Sequence, residues 1–291
     1  MMNAQDRSFF HKAGPTGFLL VHGLGGTPVE LRYVAQGLAR AGHTVSCCQL
    51  AGHCGTAEQL RRSTWQQWFA SVEAAHDRMR AECENVIVGG LSMGAILALH
   101  LAHQRPAAVD GLALYAPSLR LDGWSMPWYA SLLKWLRPYH ITFDVDLPEQ
   151  EPYGIKDERI RAFVLKSMLG ADSSQAGTFS TPLRAFAQFS ALSSTVRRVL
   201  HQIPAPTLIL HPRDDDMADF GNAQEIQRKL RGPVETVVLN DSYHLITLDR
   251  QRQVVVERSL EFAARIANRT AVLQSRATAP NRPDQPLKLS A

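Results

Sequence analysis

A serine framed by glycines, a histidine late in the chain and three consecutive aspartates carry the most chemistry in this sequence. Ser92 lies in Val86-Ile87-Val88-Gly89-Gly90-Leu91-Ser92-Met93-Gly94-Ala95, a β-branched run, then Gly-x-Ser-x-Gly, then small and apolar residues that open a helix. A serine on such a strand-to-helix turn is lifted above a sheet in a strained conformation. Gly90 and Gly94 lack the Cβ atoms that would clash across it. The positive end of the following helix favours negative charge at the hydroxyl. A serine hydroxyl is a weak nucleophile until a base takes its proton. His244 lies beyond the last expected strand and before the last expected helix, where an imidazole can swing towards the turn as general base. The acid that would orient this imidazole belongs at the carboxyl end of a strand. There His211-Pro212-Arg213 is followed by Asp214, Asp215 and Asp216, three candidates in a row.

A nucleophile that attacks a carbonyl carbon also needs two backbone N–H donors where the oxyanion forms. One is expected from Met93, just after the serine. The other is expected from the loop Val21-His22-Gly23-Leu24-Gly25-Gly26-Thr27, with the N–H of Leu24 as candidate. That loop is not a dinucleotide fingerprint, because the sixth position from Gly23 is Pro28 and the second strand ends without the acid that would hold a ribose. His22 and His53 read as turn-stabilising residues rather than bases. His100 and His103 are three apart on a helix, but no third ligand pattern stands near them, so no metal is expected.

These residues need a scaffold. Short hydrophobic runs over 17–22, 44–49, 85–90, 111–115, 207–211 and 234–239 read as strands buried on both faces. Helical patterns cover 28–41, 64–81, 93–104, 221–230 and 250–267, the first with Thr27 as cap, Pro28 in its first turn and Gly42 after its end. Such alternation predicts an α/β protein with a mostly parallel central sheet flanked by helices. It is interrupted over 117–181, where no strand returns and a helical run over 157–169 lies among three tryptophans and several prolines. An insertion there projects above the strand ends, where ligands bind. The expected organisation is a core of 9–116 and 182–268, a mainly helical cap of 117–181 and a disordered tail of 269–291.

With His22-Gly23-Leu24-Gly25-Gly26, Gly52-His53, Gly90-Leu91-Ser92-Met93-Gly94 and Ser242-Tyr243-His244-Leu245-Ile246-Thr247-Leu248-Asp249 in hand, the chain resembles the α/β-hydrolase superfamily. More narrowly it is similar to bacterial carboxylesterases and monoacylglycerol-lipase-like enzymes, from Phe9 to about Ala267. It departs from them in reading Gly52-His53-Cys54 where the family often has Gly-His-Gly, and in carrying Tyr243 where a glycine often precedes the histidine. The resemblance implies an α/β-hydrolase fold with a cap and a Ser, acid, His triad. In the family pattern an apolar residue stands two places after the acid. Met217 stands so after Asp215, which makes Asp215 the expected acid and leaves Asp214 and Asp216 pointing away into solvent. The implied activity is hydrolysis of carboxylic esters through an acyl-enzyme. Monoacylglycerol lipase, lysophospholipase and thioesterase activities share the triad, and a non-catalytic receptor on the same scaffold is the distant alternative.

The leaving group and acyl chain must be chosen by the cap. Trp124, Met126, Trp128, Tyr129, Leu132, Leu133, Trp135 and Leu136 crowd together, and on a helix Trp128, Leu132 and Trp135 would share a stripe. We expect Trp124, Met126, Trp128 and Leu132 to wall an acyl pocket, although packing of the cap onto the core would use the same residues. Basic residues are scattered in the cap, so the expected substrates are uncharged esters of short to medium acyl chain rather than coenzyme A esters.

Composition excludes other classes. The chain has 291 residues, 45% hydrophobic and 20% charged, with 31 Lys+Arg against 27 Asp+Glu and a net charge of +4. That apolar share excludes wholesale disorder. Arg269, Arg276, Arg282 and Lys288 carry much of the excess, so the body is close to neutral and no nucleic-acid surface is expected. The apolar runs over 17–21 and 93–102 are far too short to span a bilayer. Cys47, Cys48, Cys54 and Cys83 show no Cys-x-x-Cys spacing. With no signal peptide visible, the expectation is a cytoplasmic enzyme without cofactor, a monomer or homodimer acting on a small ester.

Overall fold

The computed structural model describes residues 6–126, 145–148, 150–169 and 180–278. A short edge strand β1 (Phe9–His11) precedes β2 (Thr16–Val21), α1 (Arg32–Arg40), β3 (Thr44–Cys48), α2 (Ala57–Arg62), α3 (Trp65–Glu82), β4 (Asn85–Leu91), α4 (Met93–Gln104) and β5 (Gly111–Tyr115). Then come β6 (Asp146–Pro148), α5 (Glu158–Leu169), β7 (Ser180–Pro182), α6 (Leu183–Val199), β8 (Thr207–Pro212), α7 (Gly221–Lys229), β9 (Val234–Leu239) and α8 (Arg252–Thr278). Seven strands form one sheet in the order β1-β3-β2-β4-β5-β8-β9, all parallel except β1, which pairs antiparallel with β3.

Alternating strand residues sort into two buried layers. Leu19, Val21, Val86 and Val88 face α3, α4 and α6, while Phe18, Leu20, Ile87 and Leu91 face α1 and α8. The inner stripe of α3 is Trp68, Val72, Ala75 and Met79, all buried, and Thr64 with Gln67 closes a capping box at its start. Helix α4 is buried from Met93 to Ala102, which a sequence apolar but for His100 requires. From β2 the chain moves outward to β3 and then returns across to β4. The crevice between β2 and β4 is therefore the point where strand order reverses, the place where such sheets bind ligands. The register holds the strand ends level, with Val21 opposite Gly90, Leu91 opposite Tyr115 and Pro212 opposite Leu239. The loops after β2, β4, β8 and β9 thus leave one edge together.

Three sequence expectations change. The insertion was read as free of strands, but β6 and β7 pair antiparallel across it, and Arg61 of α2 ties that ribbon down through Asp146 at 2.8 Å. Three-residue strands are too short for alternation to show. Helix α8 runs to Thr278, well past Ala267, because no glycine or proline follows until Pro280. Part of what was read as tail is therefore helical. The expected helix over 28–41 begins as a 3₁₀ turn, Pro28–Leu31, capped by Thr27. Trp128, Leu132 and Trp135, and with them the proposed stripe, lie outside the described residues, as does everything beyond Thr278. Among the described residues no helix is long and apolar enough to cross a membrane.

Candidate active site

Ser92 sits between β4 and α4 with φ 56° and ψ −116°, a region a residue with a side chain rarely occupies. Two close approaches hold it there. A Cβ on Gly94 would overlap the Val21 carbonyl, and one on Gly90 would overlap the backbone of Gly94, so both flanking positions admit only glycine. The Ser92 N–H donates to the Tyr115 carbonyl at 2.9 Å, fastening the turn to the neighbouring strand. The loop after β2 lies directly beside it, for a Cβ on Gly23 would stand 3.6 Å from that of Ser92. Leu24 and Met93, the expected oxyanion donors, line the same cavity as Ser92 and His244.

His22 and His53 support that loop. The His22 ring is fully buried, places Nδ1 2.9 Å from the Gly23 carbonyl and accepts the Leu50 N–H at Nε2, 3.1 Å away. Burial lowers its pKa to about 3 and that of His53 to about 4, so both stay neutral and neither acts as a base near neutral pH. The two rings meet edge to face at 5.0 Å, and His53 packs in turn on Trp68. His100 packs against Trp65 and Phe69 instead of facing His103 as a ligand pair. Among the described residues no group of His, Cys, Asp and Glu has the arrangement to hold a metal.

The structure brings His244 onto Asp215. His244 Nδ1 lies 2.8 Å from Asp215 Oδ2 and 3.0 Å from Oδ1, with both side chains buried. Asp215 Oδ1 also accepts the N–H groups of Met217 (2.9 Å) and Ala218 (2.8 Å), which fixes the carboxylate plane. Burial alone would raise the Asp215 carboxyl. The His244 imidazole and the Ala218 N–H outweigh it and hold the pKa below the ordinary carboxylate value. For His244 burial opposes the charge, but the Asp215 carboxylate, with Asp216 behind it, raises the pKa above 6.5.

Asp216 does not point into solvent as expected. It is fully buried, and its two oxygens accept the N–H of His244 (3.1 Å) and of Gly154 (2.9 Å). The β8–α7 loop turns so tightly after Asp215 that the next side chain faces the histidine loop from beneath. Burial pushes the Asp216 carboxyl up. Asp214 is exposed, as expected. A second carboxylate that the sequence reading passed over, Asp249, accepts the N–H groups of Lys156, Asp157 and Tyr243 at 2.8–3.0 Å. The histidine segment is thus clamped by Asp216 and Asp249, and its Leu245 N–H donates to the Gly154 carbonyl at 2.8 Å.

Ser118, also missed, is buried after β5, its Oγ 3.1 Å from that of Ser92 and 3.1 Å from the Ala116 carbonyl. Either hydroxyl can be the donor in this contact, and with Ser118 donating to the carbonyl the bond runs from Ser92 to Ser118. His244 Nε2 is buried and has no hydrogen-bond partner among the described residues. Were Ser92 to pass its proton to His244, its hydroxyl would first turn away from Ser118. Such tightening on approach to reaction is common in unliganded sites.

The cavity holding these groups has a volume of about 750 Å³. Its apolar walls come from Ile160, Phe163 and Val164 of α5 and Phe186 and Phe189 of α6. Trp124 and Met126, expected as walls, do not line it. The chain after β5 docks on the aspartate loop through Gly123 N–H to the Met217 carbonyl and Ser125 N–H to the Asp216 carbonyl. That docking turns Trp124 outward, 59% exposed, with its Nε1 on the Asp214 carbonyl and its ring edge-on to Tyr243. Residues 128 and 132 lie outside the described residues.

This fold and site define a serine hydrolase of the α/β-hydrolase superfamily. The chain belongs to the hydrolase family described as serine aminopeptidase, S33, whose profile matches residues 17–251. It is 32% identical over 269 residues to the thermostable monoacylglycerol lipase of Bacillus sp. (strain H-257), covering 89% of this chain and 94% of that one. It is 24% identical over 262 residues to a carboxylesterase of Bacillus subtilis (strain 168), covering 89% and 97%. A structure of the metagenome-derived lipolytic enzymes LipS and LipT superposes with a TM-score of 0.76 at 27% identity, over 89% of this chain and 97% of that one. The fold of a soluble variant of the Saccharomyces cerevisiae monoglyceride lipase is shared at a TM-score of 0.73 and 17% identity, over 91% and 94%.

The direction of the His244 shift sets the pH profile. If His244 is the base it must be neutral to accept a proton, so kcat/KM is expected to climb as pH rises through a pKa that Asp215 holds above the ordinary histidine value. Replacing Asp215 by asparagine removes the charge that raises this pKa and moves the limb to lower pH. A wild-type midpoint below pH 6 would contradict His244 as the base.

Proposed function

We propose that this protein hydrolyses carboxylic esters of small molecules, with Ser92 as nucleophile, His244 as general base and Asp215 as its orienting acid. The reading rests above all on the buried His244–Asp215 pair lining one cavity with a serine held at a strained, glycine-flanked turn. Ser92 Oγ attacks the ester carbonyl as His244 Nε2 takes its proton, and the N–H groups of Leu24 and Met93 receive the oxyanion. The imidazolium then protonates the departing alcohol. Water then gives a proton to His244 as its oxygen attacks the acyl carbon, and His244 returns that proton to Ser92 Oγ as the acid leaves. The Asp215 carboxylate keeps Nδ1 protonated and stabilises the cation in both halves.

Residues 117–181 act in this reading as a cap whose α5, with α6 of the core, walls the acyl site. The likeness to a monoacylglycerol lipase favours a glyceride as the ester, with the cavity accepting a short to medium chain. The four cysteines are buried free thiols, which supports a reducing, cytoplasmic setting. The working unit is a monomer or homodimer.

The test is kcat/KM for p-nitrophenyl esters from acetate to palmitate, beside the uncharged N-acetylcysteamine thioesters of the same acids. Each added methylene contributes at most about 0.8 kcal/mol until the pocket is full. We expect a maximum at short or medium length and esters ahead of thioesters. A maximum at palmitate, or thioesters in front, would overturn the assignment.

A further inference from the structure

The cavity is walled by apolar side chains but rimmed by arginine. Arg32 opens α1, Arg159 stands in the first turn of α5 and Arg252 opens α8, and all three line the cavity that holds Ser92 and His244. Among the described residues none of the three guanidinium groups makes an ion pair, although Asp157 lies near Arg159 and accepts its backbone N–H at 3.0 Å. Elsewhere the contrast is plain: Arg61 is paired with Asp146, Arg80 with Asp110, Arg105 with Glu73 and Arg250 with Asp241. Among the described residues the one acid in the lining is Glu30, which accepts the Gly23 N–H at 3.4 Å and lies close enough to His244 for its charge to raise that pKa. Arg7 lines the same cavity.

Arg252 is held in place. Its guanidinium lies 4.7 Å from the centre of the Tyr33 ring, and its Nη1 donates to the Leu248 carbonyl at 2.8 Å. Tyr33 is itself fixed by donating to Gln253 at 3.1 Å. One nitrogen of the fork is occupied and its face is stacked, which leaves the rest of a pre-oriented planar donor set. Helix stability does not account for Arg159 and Arg252, because a cation in a first turn opposes the helix dipole, and Arg32 follows the 3₁₀ turn Pro28–Leu31. Like charges gathered at the mouth of a cleft raise the local concentration of an opposite charge.

We propose that the esters this site prefers carry an anionic group, a phosphate or a carboxylate, on the alcohol side, received by Arg32, Arg159 and Arg252 while the acyl chain lies against α5 and α6. The inference rests on the ester-hydrolase reading and replaces the expectation of an uncharged substrate. Three arginines from distant stretches of sequence form one rim only once the chain is folded.

The experiment compares three soluble butyryl esters well below any micelle concentration: 1-butyrylglycerol, 1-butyrylglycerol 3-phosphate and butyryloxyacetate. Soluble esters keep attraction to a lipid surface out of the measurement. At low salt the wild type is expected to give kcat/KM about tenfold higher for the anionic esters, from three partly exposed charge contacts. That advantage shrinks as salt shortens the screening length. In Arg32→Gln/Arg159→Gln/Arg252→Gln the anionic-to-neutral ratio falls to about one, and in the single variant Arg159→Glu it falls partway. An advantage for phosphate and carboxylate alike supports a general anion site, and one for phosphate alone narrows the proposal to phosphate esters. A neutral ester preferred by the wild type, or a ratio unchanged in the triple variant, overturns it. Binding of glycerol 3-phosphate to Ser92→Ala by calorimetry reads the rim without turnover. Weaker binding in the added triple arginine background supports the proposal, and equal binding overturns it. Failure to cleave any of the three esters, with that binding intact, would count against the hydrolase reading alone.

Discussion

Ser92→Ala is expected to lower turnover of a p-nitrophenyl ester by several powers of ten while the protein stays folded. The expected size follows from what the hydroxyl supplies: without it no acyl-enzyme forms, and only binding and the oxyanion donors remain to assist water. The fold tolerates the change because alanine meets the same backbone demand at φ 56°, and the glycine contacts that hold the turn belong to its neighbours. Ser118 loses one hydrogen-bond partner but keeps the Ala116 carbonyl, a loss of about 1 kcal/mol. A melting temperature within a few degrees of wild type should accompany the lost activity. Turnover above a few per cent of wild type in the purified variant would remove Ser92 from the mechanism.

The three consecutive aspartates should separate into three different effects. Asp215→Asn is expected to cost about 10⁴-fold in kcat, since an amide facing His244 Nδ1 selects the wrong tautomer and removes the charge that stabilises the imidazolium. Asp216→Asn acts through position. Its two oxygens accept two backbone N–H groups, and an asparagine can satisfy one while presenting a donor to the other. The His244 segment should shift, with a kcat loss of up to about 10²-fold and a stability loss of about 1–3 kcal/mol. Asp214→Asn, at an exposed position, should change neither. Kinetics and thermal melts of the three variants check the order, and equal losses at 214 and 216 would show that the buried clamp does not position the histidine.

This order also marks where sequence reasoning stops. The strand over 111–115 and the helix over 93–104 were legible to the residue, because near-continuous burial leaves a hydrophobic run with sharp edges, and the half-buried strand over 234–239 was legible from its β-branched residues. The turn at Ser92 was legible because two close backbone approaches demand glycine on both sides. Asp215 could be favoured by resemblance, but the direction of Asp216 could not, since side chains in a loop follow no period. The strand Phe9–His11 was missed because three half-exposed edge residues carry no alternation to read. Helix Ala57–Arg62 was missed because it buries only Leu60, although Thr56 and Gln59 form a readable capping box. Trp124 was misplaced for a different reason: aromatic density shows that a segment packs, but hydrogen bonds from Gly123 and Ser125 decide which way it faces. The rim arginines show the same limit, since charge counted along a chain says little about charge gathered in space.

The hydrogen bond between Ser92 and Ser118 has a consequence for the energetics of every turnover. If Ser92 is the nucleophile, this contact would divide it between a rotamer resting on Ser118 and one aimed at His244. The observed second-order rate is then the intrinsic rate multiplied by the fraction in the second rotamer, just as an affinity is diluted by the fraction of competent conformers. If one molecule in ten is competent, the cost is about 1.4 kcal/mol of apparent barrier. A substrate that crowds the space beside Ser118 recovers that amount by shifting the populations as it binds, and one too small to do so does not. Discrimination between esters would then be built partly into the occupancy of a single torsion angle, far from the walls that measure chain length.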